Sequence, residues 1–309
     1  MTQGPRSPLT GGVICALTTP FDADDQLAVD ALDALIERQI AAGIHGLFVA
    51  GTSGEGPLMI RKERRLLTEV VVEKVGGRVP VIVHCGTADT RTSEHLARHA
   101  EAVGADAVAV VGPYFYSFDT EALFRHFAAV AAAAPSIPHY IYENPERVGY
   151  SLGLGLVRRL VTEVENIVGI KDTGDSIGRL VGYLSLIDDP PDVFTGNNTL
   201  VYPALSIGAK GAVSALANIA PRLFVRLYEE YRAGRLEEAL ELQRAAARLQ
   251  GSLAGFPYVP AIKSVLQGSG VDPGHSRRPH LSLPEADSEE LQARLTAAKL
   301  TEWLDADRT

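Results

Sequence analysis

Sulfur and tryptophan are scarce in this chain: two cysteines, two methionines and one tryptophan in 309 residues. With only Cys15 and Cys85 there is no disulfide framework and no all-cysteine metal site. Both lie in apolar, strand-like runs, where they read as buried thiols. Long hydrophobic runs are missing too. No stretch reaches the roughly 18 apolar residues of a membrane helix. Residues 1–10 lack the apolar core of a signal peptide, so a soluble, cytosolic protein is expected. Positive charge is in deficit: 29 Lys and Arg against 38 Asp and Glu give a net charge of -9. That balance disfavours nucleic acid and anionic membranes as partners and leaves small-molecule chemistry open.

Metal-ligand patterns are also lacking. His95 and His99 are four apart on one helix, but the intervening glutamate of a zinc-protease motif is absent, and Glu94, Arg98 and Glu101 mark a solvated face. His84 and Cys85 end the third strand and could line a pocket, but as adjacent residues they point to opposite faces and do not make a metal pair. Neither a metal nor a cofactor is expected.

What the chain has is alternation. Short apolar runs at 13–17, 46–50, 79–84, 106–111, 138–142, 167–171, 192–195 and 211–214 are separated by segments of helical spacing. The helical segments include 27–42, 63–75, 93–103 and 120–134, several of which end near Gly or Pro. Eight β-then-α units predict a closed (β/α)8 barrel, a TIM barrel, over residues 12–220. An open doubly wound sheet is the other α/β solution. It normally carries a glycine-rich phosphate loop after its first strand, and here Thr18-Thr19-Pro20-Phe21 follows instead. Residues 221–309 show no further strand; 222–234, 236–251, 257–268 and 288–304 read as an appended helical region, with 272–284 as loop.

A barrel places its active site at the C-terminal strand ends. That rule gathers Thr52, Ser53, Tyr114, Tyr142, Lys171, Asn197 and Ser214 from distant parts of the sequence. Lys171 closes the run Asn166-Ile167-Val168-Gly169-Ile170, which reads as a buried parallel strand. An ammonium there is costly unless it is paired, snorkels outward, or gives up its proton. A neutral lysine is a nucleophile able to form a Schiff base with a carbonyl substrate. Gly51-Thr52-Ser53-Gly54-Glu55-Gly56 offers backbone N–H groups and hydroxyls to an anion such as a carboxylate, or else is a glycine-rich turn with a helix cap. Tyr140 and Tyr142 share one strand face; Tyr142, one unit before Lys171, reads either as a proton relay or as an amphipathic core tyrosine.

Taken in order and spacing, Gly51-Thr52-Ser53-Gly54-Glu55, Pro113-Tyr114-Phe115-Tyr116, Tyr142 with Asn144-Pro145, and Gly169-Ile170-Lys171-Asp172-Thr173 carry a family likeness. The chain resembles the dihydrodipicolinate synthase and N-acetylneuraminate lyase family of pyruvate-dependent class I aldolases and lyases, over nearly its whole length. The resemblance implies that Lys171 forms the Schiff base with pyruvate and that Thr52 and Ser53 bind its carboxylate. It implies further that Tyr142 is the general acid/base and that the Val213 carbonyl lies beside the enamine. It also implies a homotetramer built from dimers, with aromatic residues near Tyr114 to Tyr116 at the tight interface.

Several positions depart from the family pattern. Phe115 stands where many members have a relay tyrosine from the neighbouring subunit, and Glu143 where the synthases often have Asn. Arg147 sits where those synthases place an arginine for the second substrate's carboxylate, and it also reads as a surface loop arginine. Thr195-Gly196-Asn197-Asn198-Thr199 looks more like the stretch in 2-keto-3-deoxygluconate aldolases, whose threonine two residues after the lysine corresponds to Thr173. The expected activity is therefore aldol cleavage or formation on a 2-keto-3-deoxy sugar acid. The alternatives are 4-hydroxy-tetrahydrodipicolinate synthase, a dehydratase of the same family, or a non-catalytic 2-keto acid binding protein.

Overall fold

Each apolar run is buried on both faces only if neighbouring strands flank it and the following helix covers its outer side, which drives β/α units to pack side by side. The computed structural model describes Ser7 and residues 9–304. Its strands are β1 (Gly12–Ala16), β2 (Gly46–Val49), β3 (Val81–His84), β4 (Ala107–Val111), β5 (His139–Glu143), β6 (Ile167–Asp172), β7 (Asp192–Thr195) and β8 (Gly211–Ser214). All pair in parallel with their sequence neighbours, and β8 closes on β1 to complete a (β/α)8 barrel. These are the eight strands expected, with ends displaced by at most two residues.

The first helices are α1 (Ala31–Ala41), α2 (Arg61–Val75), α3 (Thr90–Ala102) and α4 (Thr120–Ala133). A short α5 (Pro145–Val148) precedes α6 (Leu154–Glu163), α7 (Ile177–Leu184), α8 (Val201–Ser206) and α9 (Pro221–Arg232). Their starts follow local chemistry: Asp89, Asp119 and Ser176 accept from the backbone N–H groups of Thr92, Ala122 and Arg179. Helix α9 follows β8 and packs on β1, so the outer helix of the eighth unit lies beyond residue 220, where the sequence pattern ends the barrel.

The chain then adds α10 (Leu236–Ser252), α11 (Tyr258–Gly268), α12 (Glu285–Ala297) and α13 (Thr301–Leu304). The single helix expected over 288–304 is broken in two, with Lys299 at φ 56, which redirects the chain so that Leu300 and Leu304 are buried. The loop 272–284 is tied to the barrel through Phe21 and His275, which exchange backbone hydrogen bonds. No helix among the described residues is long and apolar enough to cross a membrane.

Inside the barrel, Ile14, Phe48, Ile82, Tyr140, Phe194 and Val213 surround an apolar hollow that Leu9 closes and Lys171 lines. The polar start, residues 1–10, lies largely outside the described residues.

Candidate active site

Strands β5 and β6 pair with Tyr142 opposite Lys171. The alternation that sends Ile141 and Ile170 to the helix layer therefore sends both functional side chains inward. Lys171 is 5% exposed, and its Nζ lies 4.0 Å from the ring centre of Phe48 and 4.1 Å from that of Tyr142. No carboxylate among the described residues pairs with it. Burial away from water pushes its pKa down to about 7.

A second buried lysine shows the contrast. Lys263 donates to the Thr19 and His275 carbonyls at 2.7 and 2.6 Å and pairs with Glu55 at 2.7 Å. Its charge is satisfied and its role is structural; Lys171 is the amine left available as a nucleophile.

A pH profile follows from that value. Attack needs the neutral amine, and the folded-state pKa lies below the ordinary lysine value. The neutral form is therefore lost as pH falls through about 7. The rate of trapping a carbonyl ligand on Lys171 is expected to fall roughly tenfold per pH unit well below 7. Burial raises the Tyr142 phenol above its usual value, so it adds no alkaline limb below about pH 10. A stopped borohydride assay across pH 5 to 9 checks this; a rate flat through that range contradicts it.

The Tyr142 hydroxyl accepts from Asn144 Nδ2 at 2.8 Å and lies 3.2 Å from Thr52 Oγ1. A phenol held between an amide donor and a second hydroxyl has a defined direction for giving or taking a proton.

The Thr52 loop, residues 51–56, is tightly built. Ala50 and Glu55, neither of them glycine, adopt φ of 57 and 55. A Cβ at Gly56 would lie 1.8 Å from the Ala50 carbonyl oxygen, so only glycine fits there. Glu55 N and Gly56 N are bonded back to Thr52 O and Gly51 O. The Thr52 and Ser53 amides and the buried Ser53 hydroxyl have no protein partner among the described residues, the condition for receiving a carboxylate.

The loop is anchored from beneath by Glu55. Its carboxylate pairs with Lys263 and accepts from Arg277 N at 2.8 Å. Glu55→Ala leaves the Lys263 ammonium buried without its counter-charge. The expected loss is about 3 kcal/mol in urea unfolding, with weakened anion binding as the loop slackens. A loss under about 0.5 kcal/mol would show that the pair behaves like an exposed one.

Above these groups opens a cavity of about 470 Å³, in the range of small-molecule sites. Thr52, His84, Tyr114, Tyr142, Asn144 and Arg147 line it from the barrel side. Tyr258 and its neighbours at the start of α11 line it from the C-terminal helices. Lys171 does not line it directly. It belongs to the hollow further down the barrel and meets the cavity through the Tyr142 ring. Val213 lines that same hollow.

Thr173 and Asn197 take other positions. Thr173 Oγ1 donates to the Glu143 carbonyl at 3.0 Å, and the Asn197 side chain accepts from Thr199 N and Oγ1. Both stand at strand ends around Lys171, with Gly196 between. A Cβ on Gly196 would lie 2.4 Å from Thr173 Cγ2 and 3.2 Å from Lys171 Cε. Ser214 donates to Asn198 Oδ1 at 2.6 Å, and Asn198 in turn donates to Gln250 and Tyr258, tying the barrel to the added helices. Phe115 is 86% exposed with φ 82, stacked edge-on against Tyr116; Tyr114 alone of that trio faces the cavity.

Sequence reasoning reaches other groups here only in part. His84 is inside the cavity while its neighbour Cys85 is buried elsewhere, and the strand alternation alone does not say which way round they go. Glu143 points away from the cavity into the helix layer. There Leu152 N and Arg179 hold it beside Asp172, and burial raises its carboxyl to about 7. His95 and His99 lie on the outer helix α3, with His99 against Glu69 at 2.7 Å. No three candidate metal ligands gather among the described residues.

The arrangement has recognisable relatives. A family model described as the dihydrodipicolinate synthetase family matches residues 9–298. A DapA-like lyase of Halobacterium salinarum is 37% identical over 286 residues, covering 92% of each chain. The 4-hydroxy-tetrahydrodipicolinate synthase of Oceanobacillus iheyensis is 32% identical, covering 93% of this chain and 96% of that one. Among solved structures, YagE is a prophage protein of the dihydrodipicolinic acid synthase family from E. coli, solved in complex with pyruvate. It superposes with a TM-score of 0.90 at 31% identity, covering 94% of this chain and 99% of its own. This chain, matched from residue 9 to 298, belongs to the dihydrodipicolinate synthetase family, whose members are class I pyruvate-dependent aldolases and lyases acting through a lysine Schiff base.

Proposed function

We propose that the chain cleaves, or in reverse forms, a 2-keto-3-deoxy sugar acid, with pyruvate and an aldehyde as the other partners. The observation that carries this reading is an unpaired, buried amine beneath a cavity walled by hydroxyl, amide and imidazole groups, with one cation, Arg147, on its lining. Neutral Lys171 attacks the keto carbon, and water leaves to give an iminium. The C3–C4 bonding electrons flow into that sink, the aldehyde departs, and Tyr142 takes the proton of the C4 hydroxyl. Protonation of the enamine at C3 and hydrolysis of the iminium return pyruvate and the free lysine.

The Thr52 and Ser53 amides with the Ser53 hydroxyl receive the pyruvate carboxylate, and the Val213 carbonyl sits beside the enamine. Thr173 and Asn197 shape the strand ends around Lys171. Arg147 favours a second reading, 4-hydroxy-tetrahydrodipicolinate synthase, because it offers a positive group to a substrate carboxylate. Phe115 disfavours that reading, since it has no hydroxyl where the family's relay tyrosine stands.

The test is peptide mapping after pyruvate and borohydride, followed by an aldehyde panel. An adduct on Lys171 with turnover of glyceraldehyde supports the sugar-acid reading. Turnover of aspartate semialdehyde alone supports the synthase, and an adduct without any turnover indicates a binding protein.

The exposed aromatic run Phe115, Tyr116 and Phe118 is the surface on which a second copy would dock. The proposed assembly is accordingly a cytosolic homotetramer of paired dimers. A monomeric mass in sedimentation would sink it.

A further inference from the structure

Three residues on the cavity wall carry a buried polar atom with no hydrogen-bond partner among the described residues. Of these, Glu55 Oε1 and His280 Nδ1 have an ion-pair partner, while His84 Nε2 has none. The His84 ring is 2% exposed and lines the cavity, 5.6 Å centre to centre from the Tyr142 ring and edge-on to it. Its Nδ1 lies 3.1 Å from the Ala50 carbonyl oxygen. Arg64 Nη2 also lies 3.4 Å from Nδ1, but it donates at 2.5 Å to the His84 carbonyl, so the shorter carbonyl contact assigns the proton to Nδ1 and leaves Nε2 as a lone pair. That Nε2 is buried and has no donor among the described residues.

The surroundings hold the ring in this state. Arg64, itself buried, donates to the His84 and Gly86 carbonyls at 2.5 and 3.2 Å and fixes the end of β3. Burial opposes a second proton on the ring, and Arg64 on one side and Lys171 on the other oppose it further. None of the nearby donors reaches it: Asn144 Nδ2 donates to Tyr142, and Arg64 Nη1 and Nη2 donate to the Gly86 and His84 carbonyls. A buried acceptor without a donor is destabilising, and its natural complement is an O–H group of a bound molecule.

We propose that His84 is a specificity-determining residue: its Nε2 accepts a hydrogen bond from a hydroxyl of the aldehyde partner, selecting hydroxylated aldehydes over their deoxy counterparts. The inference rests on the reading of Lys171 as the pyruvate-binding lysine and adds to it which group recognises the second substrate. It requires no proton transfer by His84, whose role is to bind.

The experiment compares glyceraldehyde with propionaldehyde, which lacks both hydroxyls, as partners for pyruvate in wild type, His84→Phe and His84→Gln. Pyruvate trapping on Lys171 and thermal midpoint are measured alongside. Wild type should prefer glyceraldehyde. His84→Phe should lose roughly 10- to 100-fold in kcat/KM for glyceraldehyde and under about threefold for propionaldehyde, with trapping unchanged. His84→Gln retains an acceptor and should recover most of the preference, which also guards against a Phe variant that fails to fold.

Equal losses on both aldehydes, or a wild type that traps pyruvate but does not prefer glyceraldehyde, would overturn the His84 contact and leave the Lys171 reading standing. A wild type that traps no pyruvate would overturn the Lys171 reading and this inference with it.

Discussion

Lys171→Ala is expected to abolish turnover, by at least about 10,000-fold, because no other lysine among the described residues lines the cavity or the hollow beneath it. Lys263, the other buried lysine, is held by Glu55 and two carbonyls on the far side of the Thr52 loop and cannot substitute. Lys171→Arg should be equally inactive: a guanidinium stays charged near neutral pH and has no lone pair to offer.

Folding provides an independent reading of the same residue. The wild-type lysine has a lower pKa folded than unfolded. The unfolded chain therefore binds more protons between about pH 7 and the ordinary lysine value, and stability rises with pH across that window. At pH 6 the buried ammonium carries its full desolvation cost, so Lys171→Met should raise the melting temperature by on the order of 2 °C while activity vanishes. Residual turnover in Lys171→Ala within about tenfold of wild type would end the Schiff-base account.

Tyr142→Phe is expected to lower kcat by about 100- to 10,000-fold, the usual range for losing a positioned general acid/base. The substitution keeps the ring that packs against Phe48, His84 and the Lys171 Nζ, so the cavity wall survives. What disappears is the hydroxyl that accepts from Asn144 and faces Thr52. The pyruvate adduct should still form on Lys171, more slowly, and the aldehyde-dependent step should carry the larger loss. Thr52→Val or Asn144→Ala should fall between wild type and Tyr142→Phe, since each removes one neighbour of the phenol. A Tyr142→Phe enzyme with kcat within about threefold of wild type would assign the proton transfer to another group, with Tyr114 the next hydroxyl on the cavity wall.

The barrel was legible because its signals are local. A run of five apolar residues followed by a helical period identifies a strand wherever it lies, and the two-residue alternation within β5 and β6 places Tyr142 and Lys171 on the inner face. The helix break at Lys299 left less trace, since a lysine gives no sign that it adopts a left-handed conformation.

The site was legible only in part. Asn197 was gathered with the site for standing at a strand end, yet its side chain is committed to Thr199 two residues on, a turn that an Asn-x-Thr spacing permits without announcing. Glu143 differs from the synthase pattern beside the tyrosine, but its carboxylate meets Arg179 in the helix layer.

The sequence by itself determined the fold class, the lysine at a buried strand end and the order of the motifs around it, because these depend on residues within a few positions of one another. Only the tertiary structure decided which buried charges are satisfied. Lys263 finds Glu55 across more than half the chain, while Lys171 finds two aromatic rings and no acid among the described residues. Likewise, only the closed barrel and the added helices decided that His84 and Tyr258 share one cavity. The energy of a buried polar group is set by whatever lies within a few ångströms in space, and the neighbours in the chain do not specify that.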